Sequence, residues 1–167
     1  MNKTFVEPIV QNVVSFAHLD SDGELELKLI AEKVSGSRYN KKRFPAVILR
    51  KTKPKSTILI FKSGRMIIIG SESETDAELA AKKTLKEIQK LTNKKIKMKD
   101  FKITNIVANA DLGYHIDIGK LSEDQVAQKD DSFPGAVHQM RQPVKAVLLF
   151  SSGKVVFTGA NHRNQIY

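Results

Sequence analysis

The chain has 167 residues, with 28 Lys and Arg against 18 Asp and Glu, a net charge of +10, 41% hydrophobic residues and no cysteine. That apolar content fills one core of domain size without covalent staples, and the missing thiols exclude disulfides and thiolate metal sites. The basic excess favours nucleic acid, an anionic membrane surface or acidic protein partners, and charge alone does not choose among them.

In chain order, residues 1–9 read as a short polar tail without a signal-peptide core, and no apolar run reaches spanning length, so a soluble intracellular protein is expected. The cluster Asp20, Asp22, Glu24, Glu26 lacks the spacing of a calcium loop and reads as an Asp-Gly turn. Alternation from Pro45 to Arg50, β-rich Ser56 to Phe61, and Arg65 to Ile69 across Ser63-Gly64 predict a strand meander with a hairpin. A helix is predicted over Ser73 to Leu91, with Ser73 and Asp76 as a capping box. Ala77, Ala81, Leu85, Ile88 and Leu91 form its apolar stripe, and Lys82, Lys83, Lys86 and Lys90 its opposite face. The Lys-rich run Thr92 to Lys99 reads as the link between two halves, 10–99 and 100–167. Strands are expected again at Ala136 to Met140, Lys145 to Phe150 and Lys154 to Thr158, with Pro143 in a loop. Asn161 to Tyr167 reads as the first turns of a C-terminal helix that is cut short.

The halves are copies. Phe44 to Gly70 returns without a gap as Phe133 to Gly159, matching Phe44 with Phe133, Pro54 with Pro143, Leu59 with Leu148, Phe61 with Phe150, and Ser63-Gly64 with Ser152-Gly153. Upstream, Asn12-Val13-Val14 pairs with Asn105-Ile106-Val107. Two long copies are too few for a solenoid and predict a pseudo-twofold fold, each repeat a strand, a short helix and three strands.

The four histidines show no ligand spacing, and no nucleophile elbow or phosphate-cradling glycine loop is present, so no cofactor, metal site or enzymatic reaction is nominated. The four matched phenylalanines fit ordinary core packing. They also fit wedges, because Phe44-Pro45 and Phe133-Pro134 are rigid apolar pairs of the kind that unstack base steps from the minor groove. One Asn near the start of each copy suits the acceptor edges of that groove. Arg43, Arg65 and Lys154 stand where phosphates would lie, or on a solvated basic face.

These residues resemble the TATA-box-binding protein family. The resemblance runs from about Val10 to Tyr167, through Gln11-Asn12-Val13-Val14, Arg38-Tyr39-Asn40, Lys42-Arg43-Phe44, Thr57-Ile58-Leu59-Ile60-Phe61, Phe101-Lys102-Ile103-Thr104-Asn105, Phe133-Pro134-Gly135 and Leu148-Leu149-Phe150 with Ser151 to Val156. It implies an α+β fold, a pseudo-twofold saddle whose curved antiparallel sheet lies on DNA while helices occupy the convex face. It assigns Phe44 with Phe61 and Phe133 with Phe150 as intercalating pairs, and Asn12 and Asn105 as the central hydrogen-bonding pair. Val14, Leu59, Ile67, Ile69, Val107, Leu148, Val156 and Thr158 match the groove-facing positions, and Arg43, Ser63, Arg65, Ser152 and Lys154 the phosphate contacts. Asp130 and Asp131 match a docking site for a transcription factor IIB-like partner, Lys82, Lys83, Lys86 and Lys90 suit acidic regulators, and a transcription factor IIA-like factor is implied as a further partner. Ile69 departs from the Thr found at its counterpart, Thr158, and removes a hydroxyl.

The resemblance implies a general initiation factor, monomeric on A·T-rich promoter DNA, nucleating assembly with the RNA polymerase machinery in the nucleus, or in the cytoplasm of an archaeal or viral source. Two other readings are a related factor that scaffolds complexes without TATA specificity, which Ile69 favours, and a protein-binding adaptor that no longer touches DNA.

Overall fold

The computed structural model describes residues 6–122, 133–141 and 144–167. They form two compact units, one made of residues 12–104 and the other of residues 105–167 with the N-terminal segment up to Gln11.

In the unit of residues 12–104, strand β1 (Ile9–Asp20) leads to a short helix α1 (Leu27–Lys33), then β2 (Ser37–Asn40), β3 (Phe44–Thr52), β4 (Lys55–Phe61), β5 (Arg65–Ser71) and a long helix α2 (Glu74–Thr92). The strands lie in the order β2, β3, β4, β5, β1, with antiparallel pairing throughout the recorded ladders. Strand β2 is an addition to the expected meander, too short for its alternation to be read from sequence. Strand β6 (Lys97–Asp111) begins inside the run expected to be a linker, and Thr104 Oγ1 donates to the Val14 carbonyl at 3.2 Å.

Ile58, Ile60, Met66 and Ile68 are wholly buried on one face of β4 and β5, where α2 packs through Ala77, Ala81 and Ile88. Each buried Ile contributes about 1.5–3 kcal/mol. Ser73 starts α2 with its Oγ accepting from Asp76 N at 3.0 Å and donating to Asp76 Oδ2 at 2.8 Å, so the expected cap is present in side-chain form. Asn93, in the left-handed region, ends the helix.

In the other unit, β6, β9 (Lys154–Ala160), β8 (Ala146–Phe150) and β7 (Gly135–Gln139) follow in that spatial order, and Gln11 Nε2 donates to Asn109 Oδ1 at 3.0 Å. After β6 the described residues form a 3-10 turn at Ile118–Lys120, and the rest of the segment where the short helix is expected lies outside them. Pro143 lies outside the described residues. A 3-10 turn at Arg163–Gln165, capped by His162, follows β9 in place of α-helical turns. Val147, Leu149 and Phe157, the counterparts of Ile58, Ile60 and Ile68, are half-buried, and among the described residues no helix like α2 follows β9. No helix of the described residues is long and apolar enough to cross a membrane.

Candidate nucleic-acid interface

Strands β4 and β5 are apolar on both faces, and α2 covers only one. On the open face the register lines up Ile48, Leu59, Ile67 and Phe16 in one row, all half-exposed. The corresponding row in the other unit is Val137, Leu148, Val156 and Asn109. A sheet with one solvated face is expected to be polar there, so a half-exposed apolar row marks a surface that another molecule covers.

At the edge of each row stands a pair of rings. Phe44 and Phe61 lie 6.0 Å apart at an interplanar angle of 62°, and Phe133 and Phe150 lie 5.8 Å apart at 57°. Phe44 and Phe133 are 38% and 36% exposed, too open for core residues of their size. Gly135 makes room for its pair, since an added Cβ would meet Phe133 Cε1 and the Leu149 carbonyl oxygen, each at 2.9 Å. Ring contact, edge-to-face in the first pair and tilted in the second, holds each as one apolar wedge.

Asn12 and Asn105 are fixed by matched bonds. Asn12 Oδ1 accepts from Gly70 N at 2.7 Å, and Asn105 Oδ1 accepts from Gly159 N at 2.7 Å. Both glycines have positive φ, 85° and 93°, and the ladders slip beside them, between Val13 and Ser15 and between Ile106 and Ala108. With the amide oxygen engaged, each Asn presents its NH₂ as a donor, the polarity required by adenine N3 and thymine O2.

Val14, Ile69, Val107 and Thr158 are half-exposed as well. Thr57 lies directly across from Ile69, and Ala146 directly across from Thr158, so each unit carries one hydroxyl at this level, on exchanged strands. Arg43, Ser63, Arg65, Ser152 and Lys154 are exposed. The turns holding Ser63 and Ser152 close by Gly64 N donating to the Phe61 carbonyl and Gly153 N to that of Phe150, each at 2.9 Å. The lysines of α2 are exposed away from the open face; Lys82 pairs with Glu78, and Lys83 donates to the Lys53 carbonyl. Asp130 and Asp131 lie outside the described residues. Among the described residues no group of three or more His, Asp or Glu side chains is placed to hold a metal.

The sequence model of the family described as "Transcription factor TFIID (or TATA-binding protein, TBP)" matches residues 7–91 and 100–167. The chain belongs to the TATA-binding protein family. The family is one of DNA-binding transcription factors that work with the transcription machinery, not of enzymes. TATA-box-binding protein 1 of Triticum aestivum is 43% identical over 165 residues, 97% of this chain and 70% of its own length. The TATA-box-binding protein of Schizosaccharomyces pombe is 42% identical over the same shares. The solved Methanococcus jannaschii TBP superposes with a TM-score of 0.79 at 33% identity, covering 95% of this chain and 91% of that one. The TATA-binding protein fold accounts for the α+β class and the two repeats. Sequence reasoning missed Gly70 and Gly159 as partners of the Asn pair, although both close the matched segments, and it missed Thr57, whose place opposite Ile69 only register reveals.

Proposed function

We propose that this chain is a TATA-box-binding initiation factor that docks its open apolar rows in the minor groove of A·T-rich promoter DNA and kinks it with two phenylalanine wedges. The reading rests on one observation above all: two ring pairs of near-identical geometry stand beside uncovered apolar rows, each row accompanied by an Asn whose amide oxygen is engaged by a backbone N–H, which leaves its NH₂ as a donor. Phe44 with Phe61 and Phe133 with Phe150 enter one base step each, unstacking that costs a few kcal/mol per step. Apolar burial against Val14, Leu59, Ile67, Ile69, Val107, Leu148 and Val156, and counterion release by Arg43, Arg65 and Lys154, offset it. Guanine amino groups meet no acceptor on such rows, so A·T pairs are preferred, and flexible TA steps lower the bending cost.

The bent complex then nucleates assembly of the polymerase machinery, with Asp130 and Asp131 facing a transcription factor IIB-like partner and Lys82, Lys83, Lys86 and Lys90 facing a transcription factor IIA-like or other acidic one. The relatives from wheat and fission yeast favour the nucleus as its compartment. A scaffold without TATA selectivity is the second reading, favoured by Ile69. Duplexes carrying 2-aminopurine at successive steps test the first. Fluorescence rising at two separated steps, and falling back in Phe61→Ala and Phe150→Ala respectively, supports it; binding with no step unstacked refutes it.

A further inference from the structure

Phe16 ends the open row of the unit of residues 12–104, and two cations flank it. Arg65 Cζ lies 5.7 Å from the Phe16 ring centroid and 5.9 Å from that of Phe61, and Lys102 Nζ lies 5.5 Å from the Phe16 ring. Phe61, Arg65, Phe16 and Lys102, on β4, β5, β1 and β6 in turn, thus alternate ring and cation along the strand order. Neither cation has a carboxylate partner among the described residues, and the hollow they border is closed by Val14, Ile67 and Thr104.

The other unit has no such arrangement at the matching positions. Asn109 replaces Phe16 and is engaged by Gln11; Ile9 replaces Lys102; Lys154 replaces Arg65 and lies across the ladder from Asp111, where Arg65 lies across from His18. Glu7 borders the same hollow as Asp111 and Lys154. Two unopposed positive charges in one unit thus correspond to one positive and two negative charges in the other.

We propose that Phe16, Arg65 and Lys102 form a clamp for the phosphodiester backbone of double-stranded DNA, confined to the unit of residues 12–104, and that it decides which end of an asymmetric site that unit occupies. The proposal rests on the DNA-binding reading above. The ring holds both cations by cation–π attraction, so less side-chain freedom is lost when a phosphate arrives. The half-exposed ring offers apolar contact to deoxyribose. An A-tract has a narrow minor groove with enhanced negative potential, so the clamp prefers that flank, whereas Glu7 and Asp111 repel the same phosphates.

The test uses the absence of cysteine. A donor dye on Asp22→Cys reports the clamp end, because that turn is tied to the β4–β5 hairpin by Leu25 N donating to the Lys62 carbonyl and Leu19 N to that of Gly64. The duplex carries a palindromic TATATATA core, an A-tract on one flank and G·C pairs on the other, with an acceptor at either end. Transfer should favour the A-tract end by about tenfold in bound population, a difference of about 1.4 kcal/mol. Phe16→Asn with Lys102→Ile, which installs the other unit's residues, should cut most of this preference, and its salt slope should fall by about one. Asp111→Lys, with the clamp intact, should also reduce the preference. Equal transfer to both ends in the unsubstituted clamp, with the duplex bound, overturns the clamp alone, as does full preference in Phe16→Asn with Lys102→Ile. Failure to bind the duplex overturns the DNA reading and the clamp with it.

Discussion

Asn12 and Gly70 lie far apart in sequence, yet the Gly70 N–H donates to Asn12 Oδ1 at 2.7 Å, and Asn105 and Gly159 repeat the bond at the same length. The bond separates two jobs of one side chain: the oxygen closes an irregular ladder, and the NH₂ is left for a ligand.

Asn12→Asp and Asn12→Ala should therefore fail differently. The Asp variant keeps the bond to Gly70, so thermal unfolding changes little, while TATA binding weakens because a carboxylate replaces a donor. The Ala variant strands the Gly70 N–H and should lose about 1–3 kcal/mol of stability as well. Denaturant unfolding beside duplex titration checks the split, and equal loss of stability in both variants would contradict it.

Gly70→Ala places a side chain at positive φ and should cost about 1–2 kcal/mol. Gly159→Ala should cost more, since its Cβ would also fall 2.4 Å from Lys145 Cβ, whereas nothing lies within 4 Å of one at Gly70. Melting temperatures of the two variants give the order directly.

Thr57 offers the hydroxyl that Ile69 lacks. Thr57→Val should reduce the ratio of TATA to G·C-substituted binding by about 1 kcal/mol, and Ile69→Thr, which adds a second hydroxyl to that row, should raise it. Competition titration with the two duplexes measures both.

Asp20 and Lys99 are paired at 2.5 Å on the surface. The hydrogen bond from Lys99, with its charge, holds the Asp20 carboxyl below its ordinary 3.8. The pair's contribution is therefore complete above that value and lost as pH falls through the lowered one. Asp20→Asn should flatten this part of the acid unfolding curve and leave neutral-pH DNA binding unchanged.

The duplication was legible because it repeats rare choices, Phe-Pro, Pro54 and Ser-Gly, at fixed spacing, and these set the meanders and the ring pairs. Strand β2 and the 3-10 turn at Ile118–Lys120 are too short to carry a period, and tertiary pairing decides them. Leu59 and Ile60 look alike in sequence; only the place of α2 makes Ile60 core and Leu59 surface. Phe16 escaped notice because its counterpart is Asn109, so the repeat comparison that found the other rings passed over it.

The central claim is that both ring pairs bend DNA. A short TATA duplex with a dye on each end should draw its ends together on binding. Phe61→Ala with Phe150→Ala should abolish that change while leaving salt-sensitive association in place. Ends that stay apart when the protein binds, or bending that persists without both rings, would contradict it.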